Sequence, residues 1–577
     1  MFNNNRSQLN PFSERGAALI TALFVITILT ILGVLVLNTS IVETKMAANQ
    51  KISSKVFYAA EAGLERGLKV LVADMEDDRT AGGPWGNLSI PSSAGSVTAA
   101  LVNGSTAFDE NVRSVEMYRD GDNTSAVRKL AFSNGGDTVG NATYELYMYS
   151  PSNSEVYLLS YASGVNGVAA VEYHLDTDDL SPYNNAIFTG TGLTPDGSDP
   201  MNVNISGSVY SNGQVTLNGT SSVSNNYADG GCDVSLTDML PANSNLDAKL
   251  RAKGGAVTLE GSASIGTANS NGAVSEIQAD SGFNPGSGTN YVTDVGTSPP
   301  NIPMPGILDG LVAQYPGISS DPAYSGIADQ TQRAMAIYTD LIRGQNGFAP
   351  GGTYADPNAT VTTKGIVIDT PVWDCADSEW NTGKLKIKDC TADFTYQDSL
   401  GNGVTYNAAS KTLTFTGMVF FSEEFQIETT SPVTYVSKGA FIDSGGSTVA
   451  PAGQNEQGAL VIAQEEIEIE TSFLPDSGGY LQGGANTNSI AFIAGQEIEL
   501  EAKNGGAAQI TGFFYTPGEF EIEDNVQVAG TLIGGQFEME NNPNVCQVPA
   551  LKNYLPKYMP GTNSILAFNA REWRRVY

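Results

Sequence analysis

Arg15-Gly16 and the 21 residues behind them, AALITALFVITILTILGVLVL at 17–37, place a basic leader and a small residue directly before an uncharged, mostly apolar run. As a helix rising about 1.5 Å per residue, this run is about 31 Å long, enough to cross the hydrocarbon core of a bilayer. A secretory signal carries its small-residue cleavage point after the apolar core, whereas Gly16/Ala17 stands before it, so the apolar segment is expected to be retained. The continuation to Met75 has no proline, and Val42, Met46, Ile52, Val56, Ala59, Ala60, Gly63, Leu64, Leu68 and Leu71 recur mostly at spacings of three and four. One helix is therefore predicted over 17–73, apolar all round at first and amphipathic later.

Two stretches carry a family resemblance: Arg15-Gly16 before Ala17-Ala18-Leu19-Ile20, and Phe57-Tyr58-Ala59-Ala60-Glu61-Ala62-Gly63-Leu64-Glu65-Arg66. Together they resemble the type IV pilin and type II secretion pseudopilin class, most closely the PilX-like minor pilins. The resemblance covers the chain well to residue 75 and weakly over the following hundred or so. It implies a leader, 1–16, removed after Gly16 by a prepilin peptidase, with Ala17 as the N-methylated new terminus. It also implies an inner-membrane assembly platform and other pilins or pseudopilins as partners. The precursor is then expected in the inner membrane through residues 17–37, and the mature subunit in a pilus on the surface of a Gram-negative-type bacterium.

One position departs from the pattern. Most members carry a glutamate four residues beyond the new N-terminal residue, paired with a neighbouring subunit's amine; Thr21 stands there in this chain. A buried carboxylate needs a partner, so a subunit with none above it does without the carboxylate, and the resemblance implies a place at or near a filament tip with Thr21 as a helix contact. A single-span membrane anchor bearing an external domain is the alternative.

The 577 residues are too many for one compact domain, and two or three units are expected. Lys plus Arg is 29 against 62 Asp plus Glu, a net charge of -33 that repels nucleic acid and anionic lipid, so no nucleic-acid partner is expected. The single histidine, His174, lies in the alternating strand-like run Val171-Glu172-Tyr173-His174-Leu175, and no Ser-His-Asp or Cys-His arrangement is motivated. Four cysteines in an exported chain are disulfide candidates. Cys375 with Cys390 is the natural local pair, and Cys232 with Cys546 follows by elimination. The spacing fits no common zinc site.

Beyond the helix, 74–178 is expected to form a small pilin-like head, with strands over 142–150, 155–165 and 168–176 separated at hairpin distances. The distal region, 179–577, repeats a unit of apolar strand, short turn and alternating strand. It is seen in GMVFFSEEFQIETT from Gly417, ALVIAQEEIEIETS from Ala459, AFIAGQEIELEAKN from Ala491 and GTLIGGQFEMENNP from Gly530. Corresponding apolar positions fall at Phe425, Ile467, Ile498, Phe520 and Phe537, at intervals of 42, 31, 22 and 17 residues. The short intervals suit single solenoid turns and the long ones suit turns that carry loops. The fold class is thus α+β: a long helix, a small antiparallel head, and a mostly-β distal domain read as a parallel β-helix, with a β-sandwich as the alternative. An insertion is placed at 268–363, with a helix in GIADQTQRAMAIYTDLIR (326–343) docked on the solenoid flank. The basic, aromatic C-terminus ILAFNAREWRRVY is read as a cap on the last turn or as a docking tail.

The pairs Glu468/Glu470, Glu499/Glu501, Glu521/Glu523 and Glu538/Glu540 would stack at about 4.8 Å if their strands align in register. Such carboxylates must be spread, protonated or bridged by a cation, and the leading expectation is a solvated acidic face. Calcium is the rival ligand there, and also at the turns holding Asp120, Asp122, Asp196 and Asp199. Acid and base catalysis on a glycan needs carboxylates converging in a groove; these alternate along repeats, so neither an enzyme nor a resident cofactor is expected.

Overall fold

The computed structural model describes residues 11–80, 127–130, 138–152, 155–164, 167–195, 200–234, 236, 240–297, 299–354, 364–369, 371–373, 380–439, 458–476, 489–549, 555–561 and 566–576. The chain divides into two compact units, Met1–Asp178 with Phe568–Tyr577, and Asp179–Ala567.

In the first unit one helix, α1, runs Pro11–Thr80. It is longer at both ends than the expected 17–73, since neither 12–15 nor 74–80 contains a proline or glycine to stop it. Its later half buries Val56, Ala59, Ala60 and Leu64 against the strands Ala142–Ser152 and Glu155–Gly164. The small residues set that spacing: a Cβ on Gly63 would sit 2.5 Å from Ser160 Oγ and 2.6 Å from the Tyr144 ring. The head sheet runs Val127–Leu130, Ala142–Ser152, Glu155–Gly164, Gly167–Asp179, Leu566–Val576, and its first four strands pair antiparallel.

The last of those strands corrects the reading of the C-terminus. Leu566–Val576 completes the head sheet and caps no solenoid turn. Arg574 Nε donates to Glu172 Oε1 at 2.7 Å, a carboxylate only 1% exposed, and Trp573 meets Phe57 of α1 edge-on. The second unit is therefore inserted between two neighbouring strands of the head sheet, and the distal domain ends at Ala567, not at 577.

That second unit is a parallel β-helix with three ladders of strands, and the parallel pairing rules out the β-sandwich alternative. The first ladder contains Met418–Phe421, Ala459–Ala463 and Ile490–Ala494. The second contains Phe425–Ile427, Glu466–Ile469 and Glu497–Leu500, and the third Val433–Lys438 and Phe473–Pro475. Phe425, Ile467, Ile498, Phe520 and Phe537 are register partners from coil to coil. Inside, aromatic rings stack along the axis, Phe492 on Phe514 at 5.0 Å and Phe520 on Phe537 at 5.1 Å.

The coils are stacked in an order rotated relative to the chain. Ile187–Thr189 lies between Asn525–Met539 and Val209–Ser211. From there the coils proceed outward to Val292–Gly296, and the chain resumes at the opposite end with Gly365–Ile368. It then winds back until Asn544–Gln547 pairs with Asn204–Ser206. At this seam Ser208 N donates to Gln547 Oε1 at 2.8 Å, Asn204 Nδ2 donates to Asn544 Oδ1 at 3.0 Å, and Tyr227 OH donates to the Gln547 carbonyl at 2.7 Å. The disulfide Cys232–Cys546 spans it with a Cα–Cα distance of 6.1 Å.

The insertion starts later than the expected 268, because Val274–Ala279, Phe283–Asn284 and Val292–Gly296 still belong to coils. It carries α2 (Asp309–Gln314) and α3 (Gln330–Arg343). Asp329 caps α3 by accepting from Gln332 N, and Gly344 ends it in a left-handed conformation. Ile337, Tyr338, Leu341 and Ile342 of α3 join Phe420, Ile462 and Ile493 in one buried cluster. Strands of the first ladder are thus covered on both sides, which is why they read as unbroken apolar runs. Glu466–Ile469 and Glu497–Leu500 of the second ladder alternate because only one of their faces is buried.

Candidate functional site

Two features stand out from packing alone: the uncovered first half of α1 and the stacked glutamates of the second ladder. From Leu19 to Val42 every large apolar side chain of α1 is exposed, Leu19 to 64% and Val36 to 68%. No charged residue interrupts 17–42. Three hydroxyls in this stretch turn inward: Thr27 Oγ1 donates to the Leu23 carbonyl at 2.7 Å, Thr30 Oγ1 to Ile26 at 2.8 Å, and Thr39 Oγ1 to Leu35 at 3.0 Å. A helix that satisfies its own polar groups in this way is suited to surroundings without water. Ala18–Leu68 is long and apolar enough to cross a membrane. Thr21 lies exposed on α1, and Gly16 and Ala17 lie within its first two turns.

In the second ladder the register stacks Glu468 on Glu499, Glu521 and Glu538, and Glu466 on Glu497 and Glu519. Carboxylate oxygens of Glu466, Glu468 and Glu499 lie within 4.8 Å of one another, close enough to hold a metal ion. Burial, the hydrogen bond with Glu470 and the charge of Glu499 push Glu468 well above the usual carboxylate range. Burial and the charges of Glu466 and Glu501 push Glu499 up to about 7, and burial with Glu523 and Glu499 raises Glu521. The neighbouring rungs are compensated. Lys386, Lys388 and Lys503 all pair with Glu428, Lys503 also reaches Glu470 at 3.0 Å, and Lys384 pairs with Glu424. Against the cost of burial, hydrogen bonds from Lys386 and Lys503 hold Glu428 down to about 2. This lysine clamp was not anticipated, although Gly383-Lys-Leu-Lys-Ile-Lys388 announces it by alternation.

Asp120, Asp122, Asp196 and Asp199 lie outside the described residues, as does Cys375. Cys390 is disulfide-bonded. His174 lies in the strand Gly167–Asp179 and stacks on Tyr157 at 4.3 Å.

Residues 15–65 match the family model described as PilX N-terminal. No curated protein sequence matches the chain. Among solved structures, the chain is similar to the competence-associated pilin ComZ from Thermus thermophilus, at 16% identity and a TM-score of 0.44, over 91% of this chain and 97% of that one. Residues 15–65 are thus similar to the PilX N-terminal family, and the chain carries a large, mostly-β distal domain beyond that segment.

Proposed function

We propose that this chain is a minor subunit of a type IV pilus or type II secretion-like filament, seated at or near the tip, whose β-helix is displayed outside the cell for assembly or adhesion. The observation that carries the reading is the apolar half of α1, exposed along its length while the other half is packed on the head. Such a face needs a membrane first and neighbouring helices afterwards. The absence of a carboxylate at Thr21 supports a tip position, because no neighbour's amine then has to be met. Processing after Gly16 by a prepilin peptidase, methylation of Ala17, handling by an inner-membrane platform and export in a Gram-negative-type envelope complete the proposal. The role is structural, with no catalysis assigned.

Immunogold labelling of a tag in the distal domain, on sheared filaments and on a membrane fraction, tests it. Label at filament ends is expected. Label along the shaft overturns the tip position, and label confined to membranes overturns the filament reading in favour of a single-span anchor.

A further inference from the structure

At the end of the coil stack that begins with Gly365–Ile368, the chain forms a cavity of about 460 Å³, within the range of about 300–1,000 Å³ usual for small-molecule sites. Its walls come from Ile387 and the segment after it, from Tyr406 of the strand Gly403–Asn407 and the turn 408–411 that follows, and from Thr429. Tyr406 lines it. That side chain is 4% exposed, its ring is stacked on Phe394 at 5.4 Å, and its hydroxyl has no hydrogen-bond partner among the described residues. The ring is buried while the hydroxyl opens onto the cavity, where it is free to donate to a molecule that enters. Burial, with the charges of Asp389 and Asp393, raises the Tyr406 pKa, so the phenol remains a donor at neutral pH.

Three charged groups surround it. Asp389 Oδ1 accepts from Thr429 Oγ1 at 3.4 Å and Asp393 Oδ1 accepts from Ala408 N at 2.8 Å, which fixes both carboxylates and leaves one oxygen of each without a partner among the described residues. Lys411 lines the same cavity and makes no ion pair among the described residues. Asp389 and Lys411 stand in turns with left-handed backbone, at φ 46° and 53°. Two carboxylates disfavour an anion and Lys411 disfavours a cation. What the set offers is a mixture of acceptors and donors beside the apolar surface of Ile387 and Ala408.

We propose that this cavity binds a neutral polyhydroxylated ligand, a sugar unit of a surface glycan, with Asp389 and Asp393 accepting from its hydroxyls and Tyr406 and Lys411 donating to them. The assignment deepens the display reading above and rests on it for its biological setting, but its test does not. The full chain in detergent is titrated calorimetrically with glucose, galactose, mannose and N-acetylglucosamine, and separately with calcium chloride and sodium phosphate. Binding of at least one sugar is expected, weakened about tenfold by Tyr406→Phe and by Asp393→Asn, the loss of one hydrogen bond in each case. Tyr406→Phe removes an oxygen that holds nothing in the fold, so its melting temperature should match the parent's and a loss of binding is not a loss of structure. Failure of all four sugars to bind, or equal binding by parent and variants, overturns the proposal. So does calcium or phosphate binding that Asp389→Asn abolishes while no sugar binds. Filament labelling reports on the display reading independently of all these outcomes.

Discussion

Two glycines of α1 differ in what surrounds them. A Cβ on Gly33 meets nothing within 4 Å, whereas one on Gly63 meets Ser160 and the Tyr144 ring below 3.0 Å. Gly63→Leu should therefore cost about 1–3 kcal/mol through overpacking, read as faster hydrogen exchange in Glu155–Gly164, while Gly33→Ala leaves that exchange unchanged. Equal effects of the two substitutions would refute the packing argument. At Gly16 the issue is processing: Gly16→Phe should give a membrane-held product of precursor size, and a mature-size product would refute cleavage at that bond. The Gly63 contact was legible only as spacing, since Ala59, Ala60, Gly63 and Leu64 mark a face without naming what packs on it. Tyr406 was not legible at all, because a tyrosine in an alternating strand gives no sign that its hydroxyl will lack a partner.

Among the elements, the glutamate ladder gives the fold a pH dependence whose sign can be worked out. Burial and the neighbouring glutamates push Glu499 in the folded chain up to about 7, from its ordinary value of 4.5. Between these values the folded state holds a proton that the unfolded state has released. Stability from this group is then fully present below the unfolded value and is lost as pH rises toward about 7. Glu468 and Glu521 have raised values and act in the same direction. The melting temperature should fall from pH 5 to pH 8, and Glu499→Gln should flatten that fall and raise the value at pH 8. An unchanged slope in the variant would show that the ladder does not carry the effect. Glu428, held at about 2 by lysines, loses its stabilising share only in stronger acid and stays outside this window. The register behind the ladder was legible because alternation ties side-chain direction to sequence parity, so Phe425, Ile467, Ile498, Phe520 and Phe537 aligned without a structure. The start of the insertion was misread because Val274–Ala279 and Phe283–Asn284 lie among polar and glycine-rich turns that hide their periodicity.

For the whole molecule, the rotated order of coils makes the seam the place where the latest coil meets the earliest. Cys232 and Cys546 are 314 residues apart in sequence, and by chain entropy such a closure stabilises by about 5–6 kcal/mol. Replacing both by serine should remove about that much. Hydrogen exchange should then accelerate at Asn204–Ser206 and Asn544–Gln547 more than at Phe425–Ile427; uniform acceleration would show that the seam is no weaker than the rest. The seam was legible only as the pairing of Cys232 with Cys546 left by elimination, and the return of Leu566–Val576 to the head was not legible. Parallel pairing sets no local signature on its partner, and nothing in Val545 or Ile205 announces the other.

In a filament of the kind proposed, tension would turn this topology into a mechanical arrangement. Any pull reaching the distal domain along the backbone must enter through the crossings at 178/179 and 567/568. The first leads into the coil of Ile187–Thr189 and the second leaves shortly after Asn544–Gln547, so both load the stack at the seam. A weight hung at the Asp389 end would strain the coils between Gly365 and Gln547, whereas those from Val209 to Gly296 would lie outside the line of force. The bridge from Cys232 to Cys546 stands where those two regimes meet, a covalent stop against peeling the loaded half from the idle one.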